Sequence, residues 1–89
     1  MIRRRLTFHG HVQGVGFRAT THTIAERYPL TGWVCNQPDG TVCVEIQGDP
    51  PVIELMLIDL SERMSGHITH HDGTTITVIP DEQGFEIRT

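Results

Sequence analysis

Residues 30 to 48 read LTGWVCNQPDGTVCVEIQG, and this stretch predicts a β-hairpin at the centre of the chain. Up to Asn36, side chains alternate with the period of two that is typical of a strand. Residues 37 to 40 then place proline, aspartate and glycine in the order that favours a turn. Beyond the turn, Val42, Val44 and Ile46 share one face of a second strand.

One helix is predicted on each side of this hairpin. Residues 18 to 28 have helical periodicity and stop at Pro29, which cannot continue a helix. After the hairpin, Asp49 can cap a second helix that opens at Pro50, where a missing N–H costs nothing. This helix ends before Gly66, and its apolar face is formed by residues at helical spacing, namely Ile53, Met56, Leu57 and Leu60.

Strands are also predicted towards both ends of the chain. Residues 3 to 9 alternate with a period of two, which places Leu6 and Phe8 on one face. Residues 75 to 79 alternate as well, and a short strand over residues 85 to 88 follows a turn. The order β-α-β-β-α-β, with one extra strand, fits an α+β split βαβ (ferredoxin-like) sandwich. We expect an antiparallel sheet with two helices on one face, in a single domain over residues 1 to 89.

The charge balance argues against a nucleic-acid partner. All 7 basic residues are arginines, 11 residues are acidic, and the net charge is -4. Proteins that bind nucleic acids normally show the opposite balance. The run Arg3-Arg4-Arg5 is therefore expected to lie at a solvated strand edge. The longest apolar run, residues 55 to 58, is far shorter than a membrane span, so we expect a cytoplasmic protein that does not bind membranes.

A glycine-rich segment precedes the first predicted helix. Residues 10 to 17 read GHVQGVGF, which breaks both regular patterns and predicts a loop. Backbone N–H groups in such a turn can converge on an anion, and the positive end of the helix adds to this effect. Arg18 follows at once, and a guanidinium binds two anion oxygens together. Because the glycines match neither the dinucleotide nor the Walker pattern, an anion site and a tight structural turn both stay open.

These motifs resemble those of the acylphosphatase family. The stretch GHVQGVGFR, residues 10 to 18, meets the family signature G-x-V-Q-G-V-G-F-R in full. The stretch GWVCN, residues 32 to 36, is similar to the family's Gly-Trp-Val-x-Asn element and follows at the expected distance. The last strand, FEIR, is similar to the family's closing strand. Residues 61 to 83 depart from the family pattern, which leaves the conformation of the fourth strand open.

The resemblance implies hydrolysis of the carboxyl-phosphate anhydride bond of an acyl phosphate, without metal or cofactor. It implies that Arg18 and the loop N–H groups bind the phosphoryl oxygens and that Asn36 orients the attacking water. The phosphate-binding residues implied are His11, Val12, Gln13, Gly14, Val15, Gly16, Phe17 and Arg18. Inorganic phosphate is then both a product and a competitive inhibitor, and we expect a monomer whose only partner is a small-molecule substrate.

Two other function classes stay open beside this one. The family's fold also occurs as the leading domain of a hydrogenase-maturation protein, where it would handle carbamoyl phosphate. We expect a free-standing enzyme instead, because the chain stops soon after the closing strand. An RNA-binding sheet face is the other alternative, but it needs paired exposed aromatics, and the chain offers Trp33 alone. We expect Trp33 to pack rather than to stack on a ligand.

Histidines and cysteines raise the question of a metal site. The histidines in question are His9 and His11, which would share one face of an extended strand, and His67, His70 and His71 further along the chain. Because no set of them has a firm ligand spacing, no metal site is predicted. Cys35 and Cys43 fall on the same face of the hairpin, as near cross-strand neighbours. We expect both to be thiols in a reducing cytoplasm.

Overall fold

The computed structural model describes residues 1 to 89, which form two helices and a five-stranded sheet. The elements are β1 (Ile2–Gly10), α1 (Phe17–Ala25), β2 (Thr31–Asn36), β3 (Val42–Gly48), α2 (Pro50–Arg63), β4 (Ile68–Ile76) and β5 (Phe85–Arg88). The strand order is β4-β1-β3-β2-β5, with β3 antiparallel to both β1 and β2. The predicted split βαβ fold is therefore confirmed. Neither helix is long and apolar enough to cross a bilayer.

The hydrophobic core lies between one face of the sheet and the two helices. The sheet contributes fully buried side chains from alternate positions of its central strands, namely Leu6, Phe8, Val42, Val44 and Ile46. The helix α2 buries the four residues of its predicted apolar face: Ile53, Met56, Leu57 and Leu60. Each large apolar side chain moved out of water contributes about 1.5–3 kcal/mol. This packing fixes the helices on one face, and we call the opposite side of the sheet the open face.

The last two strands differ from the prediction. β4 runs from Ile68 to Ile76, whereas alternation predicted a strand over residues 75 to 79. It is an edge strand held by its backbone pairing with β1, and nearly all its side chains are exposed, so burial imposes no alternation on its sequence. β5 pairs with β2 in the parallel direction. The sheet is therefore mixed and not antiparallel throughout.

The parallel direction of β5 follows from the path of residues 77 to 84 across the open face. The side chain of Gln47 accepts from the Ile79 N–H and donates to the Ile79 carbonyl, both at 2.8 Å. Further along, the Gly84 carbonyl accepts from the Gly32 N–H at 3.1 Å. The chain thereby passes from the β4 edge of the sheet to the β2 edge before β5 begins.

The expected solvated edge for the arginine run is wrong, because β1 lies between β4 and β3. Arg3 is fully buried on the open face, beneath the crossing segment. Its Nε donates to Glu45 and its Nη1 to Glu82, each at 2.7 Å, while its Nη2 has no acceptor. Arg5, two residues along the same face, is half exposed and lies 3.6 Å from Glu45.

One helix ends earlier than predicted, and the other has the predicted bounds but lacks the expected cap hydrogen bond. α1 ends at Ala25 rather than at Tyr28, and the Tyr28 N–H donates to the Ala25 carbonyl at 3.1 Å. This bond spans three residues, so the chain tightens into a turn before the proline, as expected for a residue that precedes proline. Asp49 occupies the N-cap position of α2, but its side chain makes no capping hydrogen bond. It lies 3.8 Å from the N-terminal ammonium of Met1 instead.

Candidate active site

The loop between β1 and α1 depends on glycine for its backbone conformation. Gly14 has φ +76°, and Gly16, the N-cap residue of α1, has φ +78°. Both values lie in the left-handed region, which costs other residues free energy. A Cβ at either position would have no atom within 4 Å. Backbone conformation, and not crowding, therefore requires glycine here.

The same loop presents a run of free backbone N–H groups. Those of residues 12 to 19 donate to no other backbone group, and no side chain caps the helix at Gly16. The last of them belong to the first turn of α1, where a helix has no internal acceptors. No acidic residue lies in that turn to offset the positive end of the helix. The segment is therefore suited to bind an anion.

A cavity of about 260 Å³ opens beside these N–H groups. It is lined by Val12, Gly14, Gly16, Phe17, Arg18, Ala19, Asn36 and Ile87. Arg18 is the only charged residue in this lining, and its Nη1 donates to the Arg88 carbonyl at 3.2 Å. The predicted pair Arg18 and Asn36 thus meets at one cavity, although α1 carries the first residue and β2 the second.

Asn36 is the last residue of β2 and lies opposite Val42 of β3. Alternation along β2 places it on the helix-facing side of the sheet, with the buried Val34. Its carbonyl accepts from the Cys35 Sγ at 3.2 Å. Its side-chain amide is left for the cavity, where it can both donate and accept hydrogen bonds.

Some of the predicted phosphate-binding residues make other contacts and do not line the cavity. The side chain of Gln13 points away from the cavity and donates to the carbonyls of Gln37 at 2.8 Å and Thr41 at 2.9 Å. It thereby ties the loop to the hairpin turn, a contact that the sequence pattern did not reveal. The N–H of His11 donates to the His67 carbonyl at 2.9 Å, so it is already occupied. The side chains of His11, Gln13 and Val15 do not line the cavity.

A larger cavity, of about 390 Å³, lies between α2 and the strands β1 and β4. Its arginine, Arg4, is paired with Glu54 at 3.3 Å, and Glu62 also lines it. Two carboxylates beside one paired arginine repel an anion. The smaller cavity is therefore the better candidate for a phosphate site.

On the open face, Trp33 and the cysteines occupy neighbouring positions. The guanidinium of Arg88 lies 4.9 Å from the centroid of the Trp33 ring and that of Arg5 lies 6.0 Å from it, so the indole packs against arginines of its own sheet. Cys35 and Cys43 are directly opposed, as predicted, and both are free thiols. Burial raises the pKa of the Cys43 thiol, which makes it a poor nucleophile.

The pairing of β1 with β4 brings two of the histidines together. His9 lies opposite His70, and with Asp72 they offer potential ligand atoms that lie within 4.8 Å of one another. The prediction of no metal-ligating set rested on spacing along the sequence. This set is formed across two strands, so only their register reveals it.

Comparisons with known proteins agree with the fold and the loop. The family described as Acylphosphatase matches residues 4–87. The protein named Acylphosphatase from Lactobacillus johnsonii is 41% identical over 78 residues, which cover 85% of this chain and 82% of that protein. The crystal structure of acylphosphatase from Bacillus subtilis is similar with a TM-score of 0.88, at 26% identity and with 100% of both chains covered.

The chain is also similar in structure to one part of a much larger protein. The crystal structure of full-length HypF in the phosphate- and nucleotide-bound form is similar with a TM-score of 0.82 and 26% identity. This match covers 99% of the chain but 12% of HypF. Because the family match spans nearly the whole sequence and the relatives agree with it, the chain belongs to the acylphosphatase family.

Proposed function

We propose that the chain hydrolyses the carboxyl-phosphate anhydride bond of an acyl phosphate at the cavity lined by Arg18 and Asn36. Acylphosphatase activity, that of a hydrolase acting on acid anhydrides, follows from membership of the family. The proposal adds the roles of individual residues. The observation that carries it is the meeting of free backbone N–H groups, one arginine and one side-chain amide at a single cavity.

In this proposal the phosphoryl group is bound by the loop and by Arg18. The free N–H groups of residues 12 to 18 donate to its oxygens, and the guanidinium of Arg18 binds two of them at once. We leave out the N–H of His11, because it already donates to His67. Near a protein surface, a pair of opposite unit charges 4 Å apart is worth about 4 kcal/mol. Arg18 therefore has a large share in binding the charged group.

Asn36 is assigned to the attacking water. Its amide oxygen accepts a hydrogen bond from the water, which attacks phosphorus in line with the anhydride oxygen that departs. The phosphorus–oxygen bond breaks, the carboxylate leaves with the bonding electrons, and the proton of the water passes to phosphate or solvent. A carboxylate is already a good leaving group, so the site needs charge neutralisation and a placed water more than a strong base.

The sequence resemblance raises carbamoyl phosphate as a second candidate substrate. Carbamoyl phosphate is also a mixed carboxylic-phosphoric anhydride, so the same phosphate contacts serve it. The two candidates differ only in the acyl group. Comparing kcat/KM for acetyl phosphate and carbamoyl phosphate separates them, since a site shaped for the carbamoyl group favours that substrate.

The test is phosphate release from benzoyl phosphate by the purified chain, with and without a chelator. We expect turnover that the chelator does not change. The variant Arg18→Gln, purified in the same way, controls for contaminating phosphatases and is expected to be inactive. A phosphate monoester such as p-nitrophenyl phosphate, whose leaving group is poorer, should be hydrolysed far more slowly. A folded chain that releases no phosphate from benzoyl phosphate contradicts the proposal.

A further inference from the structure

Two imidazoles and a carboxylate meet on the open face, at the edge formed by β1 and β4. His9 is paired directly with His70, and Asp72 lies two residues further along β4, on the same face. The Nε2 of His9 is 3.2 Å from the Oδ2 of Asp72. The rings of His9 and His70 stack with centroids 4.2 Å apart and an angle of 9° between their planes. The edge strand β4 thus carries two of the three groups and β1 the third.

The three side chains match the requirements of a metal site in type and spacing. Zinc binds histidine nitrogen and carboxylate oxygen at about 2.0–2.2 Å, so tetrahedral ligand atoms lie about 3.3 Å apart. The potential ligand atoms here lie within 4.8 Å of one another. His70 and Asp72 are exposed and His9 is half-buried, so rotation of surface side chains can close the remaining distance without moving the strands.

A neighbouring hydroxyl also favours metal binding by His70. The Nδ1 of His70 lies 3.2 Å from the Thr69 hydroxyl, which can accept a hydrogen bond from the Nδ1–H and so leave Nε2 as the ligand atom.

We propose that His9, His70 and Asp72 form a binding site for a divalent first-row transition ion such as Zn²⁺. Two imidazoles and one carboxylate leave at least one coordination position for water. The bound ion would link the edge strand β4 to β1 near the end of β1, just before the loop that leads to α1. This site is distinct from the catalytic cavity, because His9 is on the open face while Asn36 faces the helices. The hydrolysis proposed above does not pass through it.

The experiment is a calorimetric titration of the full chain, free of any histidine tag, with ZnCl₂. We expect one equivalent of Zn²⁺ to bind. Affinity should fall at least tenfold in His70→Ala and also in Asp72→Asn, whose side chain keeps the same shape. The matched control is His22→Ala, because His22 faces Glu26 at 2.7 Å on α1 but has no second imidazole beside it. It should bind Zn²⁺ like the parent.

A second readout is thermal stability, since an ion that binds only the folded state raises the midpoint of unfolding. Zn²⁺ should raise it by several degrees in the parent and in His22→Ala, and by much less in His70→Ala. Three results would overturn the proposal. One is the absence of saturable binding up to millimolar Zn²⁺, and another is undiminished affinity in folded His70→Ala and Asp72→Asn. The third is a loss of binding in His67→Ala alone, which assigns the ion to the His11–His67 pair, whose ring centroids are 6.0 Å apart.

Discussion

The Nη1 atom of Arg18 donates a 3.2 Å hydrogen bond to the carbonyl oxygen of Arg88, so the last strand of the sheet holds the arginine at the cavity. The contact uses one of the five N–H donors of the guanidinium and leaves the others for an anion. Asn36 enters the same cavity from β2, and the free N–H groups enter from the start of α1. Three separate elements therefore assemble one site.

Replacing Arg18 by glutamine should remove both turnover and inhibition by phosphate. A neutral amide cannot replace a charged guanidinium that donates two parallel hydrogen bonds to phosphate, so kcat/KM is expected to fall by about 10³-fold or more. The control is Arg27→Gln, an exposed arginine just beyond the end of α1, which should behave like the parent. An unchanged inhibition constant for phosphate in Arg18→Gln would exclude direct binding by Arg18.

Replacing Asn36 by alanine should lower kcat much more than it raises KM. The placed water matters mainly in the transition state, so the loss is expected to be about 10²-fold in kcat. Steady-state kinetics with benzoyl phosphate measure both constants, and circular dichroism checks the fold. If the folded variant keeps nearly full turnover, another group orients the water.

Alanine at Gly14 or Gly16 should cost stability although nothing crowds either position. The left-handed φ of each residue makes the expected cost about 1 kcal/mol in the free energy of unfolding, measured in urea. The strained loop would also change the direction of the N–H groups that are proposed to bind phosphate, so inhibition by phosphate should weaken. Gly66→Ala is the matched control, since Gly66 also has open space around it and φ outside the left-handed region. Equal stability and inhibition in all three variants would refute a conformational role.

The pairing of Glu82 with Arg3 should make stability depend on pH in the acid range. Burial raises the pKa of Glu82, but hydrogen bonds from Arg3 and Thr31 outweigh it, and the net pKa lies below the usual value. In the unfolded chain a glutamate has its ordinary pKa, near 4.3, and the folded pKa of Glu82 lies below it. The stabilisation that ionised Glu82 gives the folded state is therefore present at neutral pH and disappears as the pH falls through the folded pKa.

Glu82→Gln should therefore lose about 1–3 kcal/mol of unfolding free energy at pH 7, and this loss should shrink as the pH falls through the folded pKa of Glu82. Urea unfolding over a series of pH values from 7 downwards measures the change. The matched control is Glu62→Gln, whose carboxylate is exposed and has no ion-pair partner. If Glu82→Gln and Glu62→Gln show the same pH dependence, the buried pair does not contribute in this way.

Local patterns were sufficient for the elements whose side chains face the core. The hairpin, the apolar face of α2 and the loop before α1 all follow from alternation, helical spacing or glycine content, and the structure confirms them. The signature containing Arg18 and the element containing Asn36 also predicted two residues that line one cavity.

Features that depend on distant segments could not be predicted in this way. The burial of Arg3 requires residues 77 to 84 to cross the open face, and no local pattern encodes that crossing. The extent of β4 was missed because its exposed side chains need no alternation. The contact between His9 and His70 depends on the register of two strands that are far apart in sequence.

The most direct test of the phosphate site is a titration of the ¹⁵N-labelled chain with inorganic phosphate, followed by NMR. We expect the largest shifts at the backbone N–H groups of residues 12 to 18 and at the Arg18 guanidinium. The N–H of His11, already bonded to His67, should shift less. Shifts concentrated instead around Arg4 and Ser61, at the larger cavity, with the loop unaffected, would exclude the loop and Arg18 as the phosphate site.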